Sequence, residues 1–149
     1  MSRKLGLLVL LALAIVFSGC SKEEGKAPLQ ELQKIHINVI KEQKMKQGIS
    51  YEMELVNKSD LTIKQNNVFL SYPLKMKNGY SDNEFKVLAE GNKLNIKPKQ
   101  KVKLTAFLPY KGINKEVLAI DEPDVKCIGY WNEIDDYHQF SFGGSLKRE

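Results

Sequence analysis

The stretch Lys93–Pro109, KLNIKPKQKVKLTAFLP, decides how this chain folds. Val102, Leu104, Ala106 and Leu108 alternate with Lys101, Lys103, Thr105 and Phe107. That spacing puts an apolar row on one face of an extended segment and a mostly polar row on the other. A half-buried antiparallel strand requires such a split, whereas a helix repeats every 3.6 residues or so and cannot use it. Before it, Lys97–Gln100 reads as a turn, and Leu94 with Ile96 as a short strand entering that turn.

The alternation recurs upstream. In KIHINVI, residues 34–40, Ile35, Ile37 and Val39 oppose His36 and Asn38; in GISYEMELVN, residues 48–57, Ile49, Tyr51, Met53 and Leu55 oppose Ser50, Glu52 and Glu54. NKSD at 57–60 is a turn cluster. LTIKQNNVFLSYP at 61–73 carries Leu61 and Ile63, a polar break at Gln65 to Asn67, then Val68, Leu70 and Tyr72. LKMKNGYSDNEF at 74–85 holds Asn78-Gly79 and Asp82-Asn83 and reads as a long loop or an irregular edge. KEVLAI at 115–120 is one helical turn or a short strand.

DVKCIGYW (124–131) and YHQFSFGG (137–144) flank NEIDD and predict a hairpin turning about Ile134 and Asp135. Its register sets Cys127 opposite Phe142 and Trp131 opposite His138, and SLKRE is expected to fray. About seven to eight short strands without a sustained helical period predict an all-β chain. Its fold class is an antiparallel β-sandwich, with a closed barrel as the alternative. The pattern resembles the immunoglobulin-like β-sandwich modules of small Gram-positive lipoproteins, without the Cys…Trp…Cys core of antibody domains.

The start of the chain sets the expected compartment. MSRK is basic, and the apolar run Leu5–Phe17 has 13 residues. As a helix it would reach about 20 Å, short of the roughly 30 Å hydrocarbon core of a bilayer, so it fits the apolar core of an export signal. The run exits through Phe17-Ser18-Gly19-Cys20. This resembles the lipobox of bacterial lipoproteins, with Phe17 where Leu is usual. The resemblance implies attachment of diacylglycerol to Cys20 and cleavage before it by signal peptidase II. The expected division is a signal peptide at 1–19, a lipidated N-terminus and tether at 20–32, and a sandwich domain at 33–149. PLQELQ, at the end of the tether, has the option of a helical turn. The expected location is the extracytoplasmic face of the cell membrane, held there by lipid.

Loss of residues 1–19 removes Arg3 and Lys4 and takes the formal charge from +5 to +3. Arg148 is then the one arginine, and a lysine surface lacks the planar fork that grips phosphates, so no nucleic-acid partner is expected. With Cys20 acylated, Cys127 has no partner thiol and the fold must stand on burial alone.

The catalytic inventory is thin: His36, His138, one thiol, and no nucleophile-elbow, zincin or phosphate-loop motif. The hairpin register separates Cys127 from His138 by four positions, roughly 13 Å, which forbids a dyad. No catalytic residue, cofactor or enzymatic activity is expected. Two acidic loops, Asp121, Glu122 and Asp124, then Glu133, Asp135 and Asp136, are candidate calcium ligands if the fold brings them together. Met45, Met53, Met76, His36 and His138 raise the thought of copper, but their scatter favours core filling. Tyr130, Trp131 and Tyr137 crowd the last hairpin; strand alternation forces one of Tyr130 and Trp131 outward, where it would anchor a sugar or protein ligand. The expected function is a non-catalytic binding or accessory module partnered by an envelope protein or wall polymer. The alternative is a metal (calcium or copper) carrier or small-ligand sensor.

Overall fold

The computed structural model describes residues 29–110 and 115–146. The expected signal peptide, Cys20 and most of the expected tether fall outside these residues. Among the described residues nine strands follow a short helix, α1 (Leu29–Leu32): β1 (Ile35–Met45), β2 (Gly48–Asn57), β3 (Ile63–Ser71), β4 (Leu74–Met76), β5 (Gly79–Ser81), β6 (Val87–Leu88), β7 (Lys101–Pro109), β8 (Asp124–Trp131) and β9 (Gln139–Ser145). One sheet has the order β1-β2-β7, a second β6-β3-β8-β9, and β4 pairs with β5 alone. Every pairing is antiparallel.

The alternation in the sequence builds the core. Lys101–Leu108 alternates strictly between exposed and buried residues, and Ile49, Tyr51, Met53 and Leu55 of β2 are all buried. They meet Val68 and Leu70 of β3, Val125 and Cys127 of β8 and Phe140 of β9 in one shared cluster. The two larger sheets therefore face one another across a single core, and the chain is an all-β antiparallel sandwich.

One flank of the sandwich is closed by the chain itself. Residues 87–90 leave β3 and reach β7: the Ala89 N–H donates to Val68 O at 2.7 Å, and Glu90 exchanges bonds of 2.8 and 3.0 Å with Thr105. Ile96 then pairs back on Ile63 through bonds of 2.8 and 2.9 Å. Buried asparagines pin this crossing. Asn57 Nδ2 donates to Leu61, Ile96 and Lys97 carbonyls, while its Oδ1 accepts from Ser59 N and Oγ. Asn92 Oδ1 accepts from Asn66 Nδ2 and Val68 N, and its Nδ2 donates to Ala89 O.

Several expectations change. Leu94 and Ile96 do not form a strand: Asn95 sits in the left-handed region at φ 55°, so Leu94 is exposed while Ile96 is fully buried. Gln65 to Asn67 do not break β3. The ladder is continuous apart from an irregularity between Ile63 and Gln65, because buried Asn66 finds its partner in Asn92. The expected long loop at 74–85 contains a tight hairpin, β4–β5, whose Gly79 takes φ 124°. β1 runs on to Met45 through a polar stretch that carries no readable alternation. Lys115–Val117 is one 3-10 turn. Leu146, in the segment expected to fray, is buried, and its N–H donates to Pro123 O at 2.7 Å. At the other end, residues 29–32 of the expected tether are the helical turn α1. Leu32 packs against the core, and Glu31 bonds Lys34 and accepts from Asp60 N at 2.8 Å.

Candidate functional site

The last hairpin takes the register read from sequence: Cys127 pairs with Phe142, and Trp131 N donates to His138 O at 3.0 Å. Its tip is organised by Asp135. One oxygen, Oδ1, accepts from Tyr137 N and His138 N, both at 2.9 Å, and meets His138 Nδ1 at 2.7 Å. The His138 hydrogen bond holds the Asp135 carboxyl below the usual carboxylate range. Trp131 turns inward, its ring edge-on to His138 at 4.6 Å, with a buried Nε1 that has no hydrogen-bond partner. Tyr130 turns outward on the opposite face, and Tyr137 at the tip is 73% exposed. The structure thus places Tyr130 and Tyr137 where a ligand can reach them and makes Trp131 a packing residue.

The two acidic loops do not come together, which corrects the idea of one shared cation site. Asp121, Glu122 and Asp124 lie at the start of β8 and Glu133, Asp135 and Asp136 beyond its end, about 23 Å apart along the strand. Asp121 meets Lys44 at 3.5 Å across the surface. Burial, with Asp82 and Glu122 nearby, holds the Asp124 carboxyl above its ordinary range.

Within the second loop, Glu133 and Asp135 are joined by His138, their ligand atoms all within 4.8 Å of one another; Asp136 is not part of the group. Carboxylate and imidazole donors suit a borderline divalent ion better than calcium. Asp135 Oδ1 already serves three donors, however, so the trio also explains itself as the lock of the turn. His138 was legible in the register as a residue beside the tip, although it was not read there as a ligand.

A second concavity lies at the far end of the same hairpin. Ser71, Asp82, Lys86, Asp124, Lys126 and Gly143 line a cleft of about 320 Å³, with two carboxylates and two ammonium groups around it. Asp82 and Lys86 escaped the sequence reading because a distant loop supplies them.

Cys127 is fully buried and burial pushes its thiol up to about 12, the condition of a packing residue. Met53 is buried in the core, whereas Met45 and Met76 are exposed on different strands. No helix among the described residues is long and apolar enough to cross a membrane. Comparison with known protein families, characterised proteins and solved structures returned no match to this chain.

Proposed function

We propose that this chain is a lipid-anchored, extracytoplasmic module of a bacterial envelope, binding rather than catalytic. The observation that carries the reading is the short apolar run ending in Phe17-Ser18-Gly19-Cys20. The order of the remaining chain supports it: a polar segment, then a β-sandwich whose last hairpin presents aromatic and charged groups outward. Eight residues, Ser21–Pro28, separate Cys20 from α1 and would span up to about 28 Å. The finer reading of the fold as immunoglobulin-like is supported by the strand order, with β1-β2-β7 facing β6-β3-β8-β9 and the chain crossing between sheets after β2, after β6 and after β7. Partners of matching chemistry are another envelope protein or a wall polymer.

The test is metabolic labelling with palmitate, with and without globomycin. Label on the wild type, its loss in Cys20→Ser, and accumulation of the unprocessed form under globomycin are expected. A chain that is never labelled, and matures unchanged as Cys20→Ser, overturns the reading.

A metal carrier is the second reading, favoured by the proximity of Glu133, Asp135 and His138. Metal analysis of untagged protein purified without chelators decides it: a stoichiometric ion lost in His138→Ala establishes it, and substoichiometric metal removes it.

A further inference from the structure

The flank opposite the closed crossing has two free strand edges, β1 and β9, and they are unlike each other. β1 is guarded in the ways edge strands usually are: a bulge between Val39 and Lys41, then Lys41, Glu42 and Lys44. β9, Gln139-Phe140-Ser141-Phe142-Gly143-Gly144-Ser145, has no charge, no proline and no bulge, and among the described residues pairs only with β8. We propose that β9 is a strand-pairing edge whose occupant is β9 of a second copy, joined antiparallel about a two-fold axis at Phe142.

The backbone fixes which groups face outward. Trp131 N bonds His138 O and Leu146 N bonds Pro123 O, so even-numbered residues direct their peptide groups at β8. Gln139, Ser141, Gly143 and Ser145 direct theirs out of the sheet. A second β9 centred on Phe142 sets Ser141 against Gly143 and Gln139 against Ser145 of the other copy, all outward-facing and able to exchange both bonds. Phe140 then falls opposite Gly144 of the second copy, in the close, non-hydrogen-bonded kind of pair.

That pairing suits the side chains. A Cβ built on Gly144 meets nothing within 4 Å, so a second strand meets no obstruction there. The buried Phe140 ring stays over Gly129 of its own β8, with ring atoms 2.8 and 3.1 Å from the position of a Gly129 Cβ, and leaves that edge clear. Phe142, partly buried and stacked on Phe140 at 6.0 Å, would meet its own copy on the axis and complete its burial. Self-pairing sets the residues of one strand against others of the same strand, so a charge-free strand tolerates it, whereas a β1 pair that brought Lys41 opposite Lys44 would set like charges together.

This deepens the reading as an envelope module by naming its partner, and its test does not depend on the anchor. Full-length chain and its Cys20→Ser form, each extracted in detergent, are followed by sedimentation across concentration, beside Ser141→Pro. The proline removes an outward N–H and leaves the β8 ladder intact, as an edge strand allows. Both forms are expected to dimerise, and Ser141→Pro to raise the dissociation constant about tenfold or more at an unchanged melting temperature. A short bifunctional maleimide should join copies of Ser141→Cys and fail with Lys41→Cys. A wild type that stays monomeric, a dimer indifferent to Ser141→Pro, or a cross-link from position 141 to a different protein overturns the proposal. Absence of palmitate from Cys20 would remove the anchor and leave this result standing.

Discussion

The two flanks of the sandwich solve one problem in opposite ways. Where β3 and β7 would end in bare backbone, the chain crosses from one sheet to the other at 87–90 and returns at 95–96. Asn57, Asn66 and Asn92 spend their side chains satisfying the peptide groups that this crossing buries. Where β1 and β9 end, no such crossing exists among the described residues, and a cleft of about 380 Å³ lined by Val39, Glu42, Tyr51, Asp121, Pro123, Ser145 and Leu146 opens between them. The closed flank is held by buried polar bonds, whose removal is costly; the open flank is bridged at the surface by the exposed Lys44–Asp121 pair and keeps its edges for other uses.

The largest expected effect lies on the closed side. Asn57→Ala leaves the buried Ser59 N and Oγ without their Oδ1 acceptor and removes the side-chain bonds to the Leu61, Ile96 and Lys97 carbonyls, and should cost about 2–4 kcal/mol in urea unfolding. A loss below about 0.5 kcal/mol would mean that the crossing is not a structural closure. Asn92→Ala should cost about 1–3 kcal/mol by leaving Asn66 Nδ2 and Val68 N without their acceptor.

These asparagines mark the boundary of what the sequence disclosed. Alternation named the inward rows of β2 and β7 and of the first half of β1, because burial on one face imposes a period of two on any strand. The hairpin register followed from the turn expected at Ile134 and Asp135 and placed Trp131 against His138. The polar stretch from Gln65 to Asn67 looked like a break because an isolated sequence cannot say that Asn92 completes Asn66. Residues 41–45 of β1 were invisible for a related reason: on a guarded edge neither face is deeply buried, so no period is imposed. At the candidate sites, Asp135 and Tyr130 were legible from turn chemistry and alternation. Asp82, Lys86 and Gly144 acquire meaning only from neighbours supplied by the fold.

On the open side, effects on stability should be small and effects on association large. Lys41→Val with Lys44→Val removes two exposed ion pairs, those with Glu52 and Asp121, worth at most about 1 kcal/mol each. The pair of changes should leave the melting temperature nearly unchanged while adding concentration-dependent association through β1, read by light scattering. If the variant associates no more than wild type, the guard on β1 is not what separates the two edges.

The smallest effect is at the hairpin tip. The Asp135 carboxyl is held below its ordinary value near 3.8, so the ionised form is the one the folded tip favours. Its contribution is present above that value and is lost as pH falls through the lower folded-state value. Amide resonances of Tyr137 and His138 should therefore share a step below about pH 4, and Asp135→Asn should abolish it.

Residue-resolved hydrogen exchange in dilute protein tests the contrast between the flanks most directly. Amides of Ala89, Glu90 and Ile96 should exchange as slowly as those of the core strands, and those of Ser141 and Gly143 many times faster, slowing as concentration rises. Equal protection on both sides, or rapid exchange at 89–96, would contradict a sandwich sealed on one flank and open on the other.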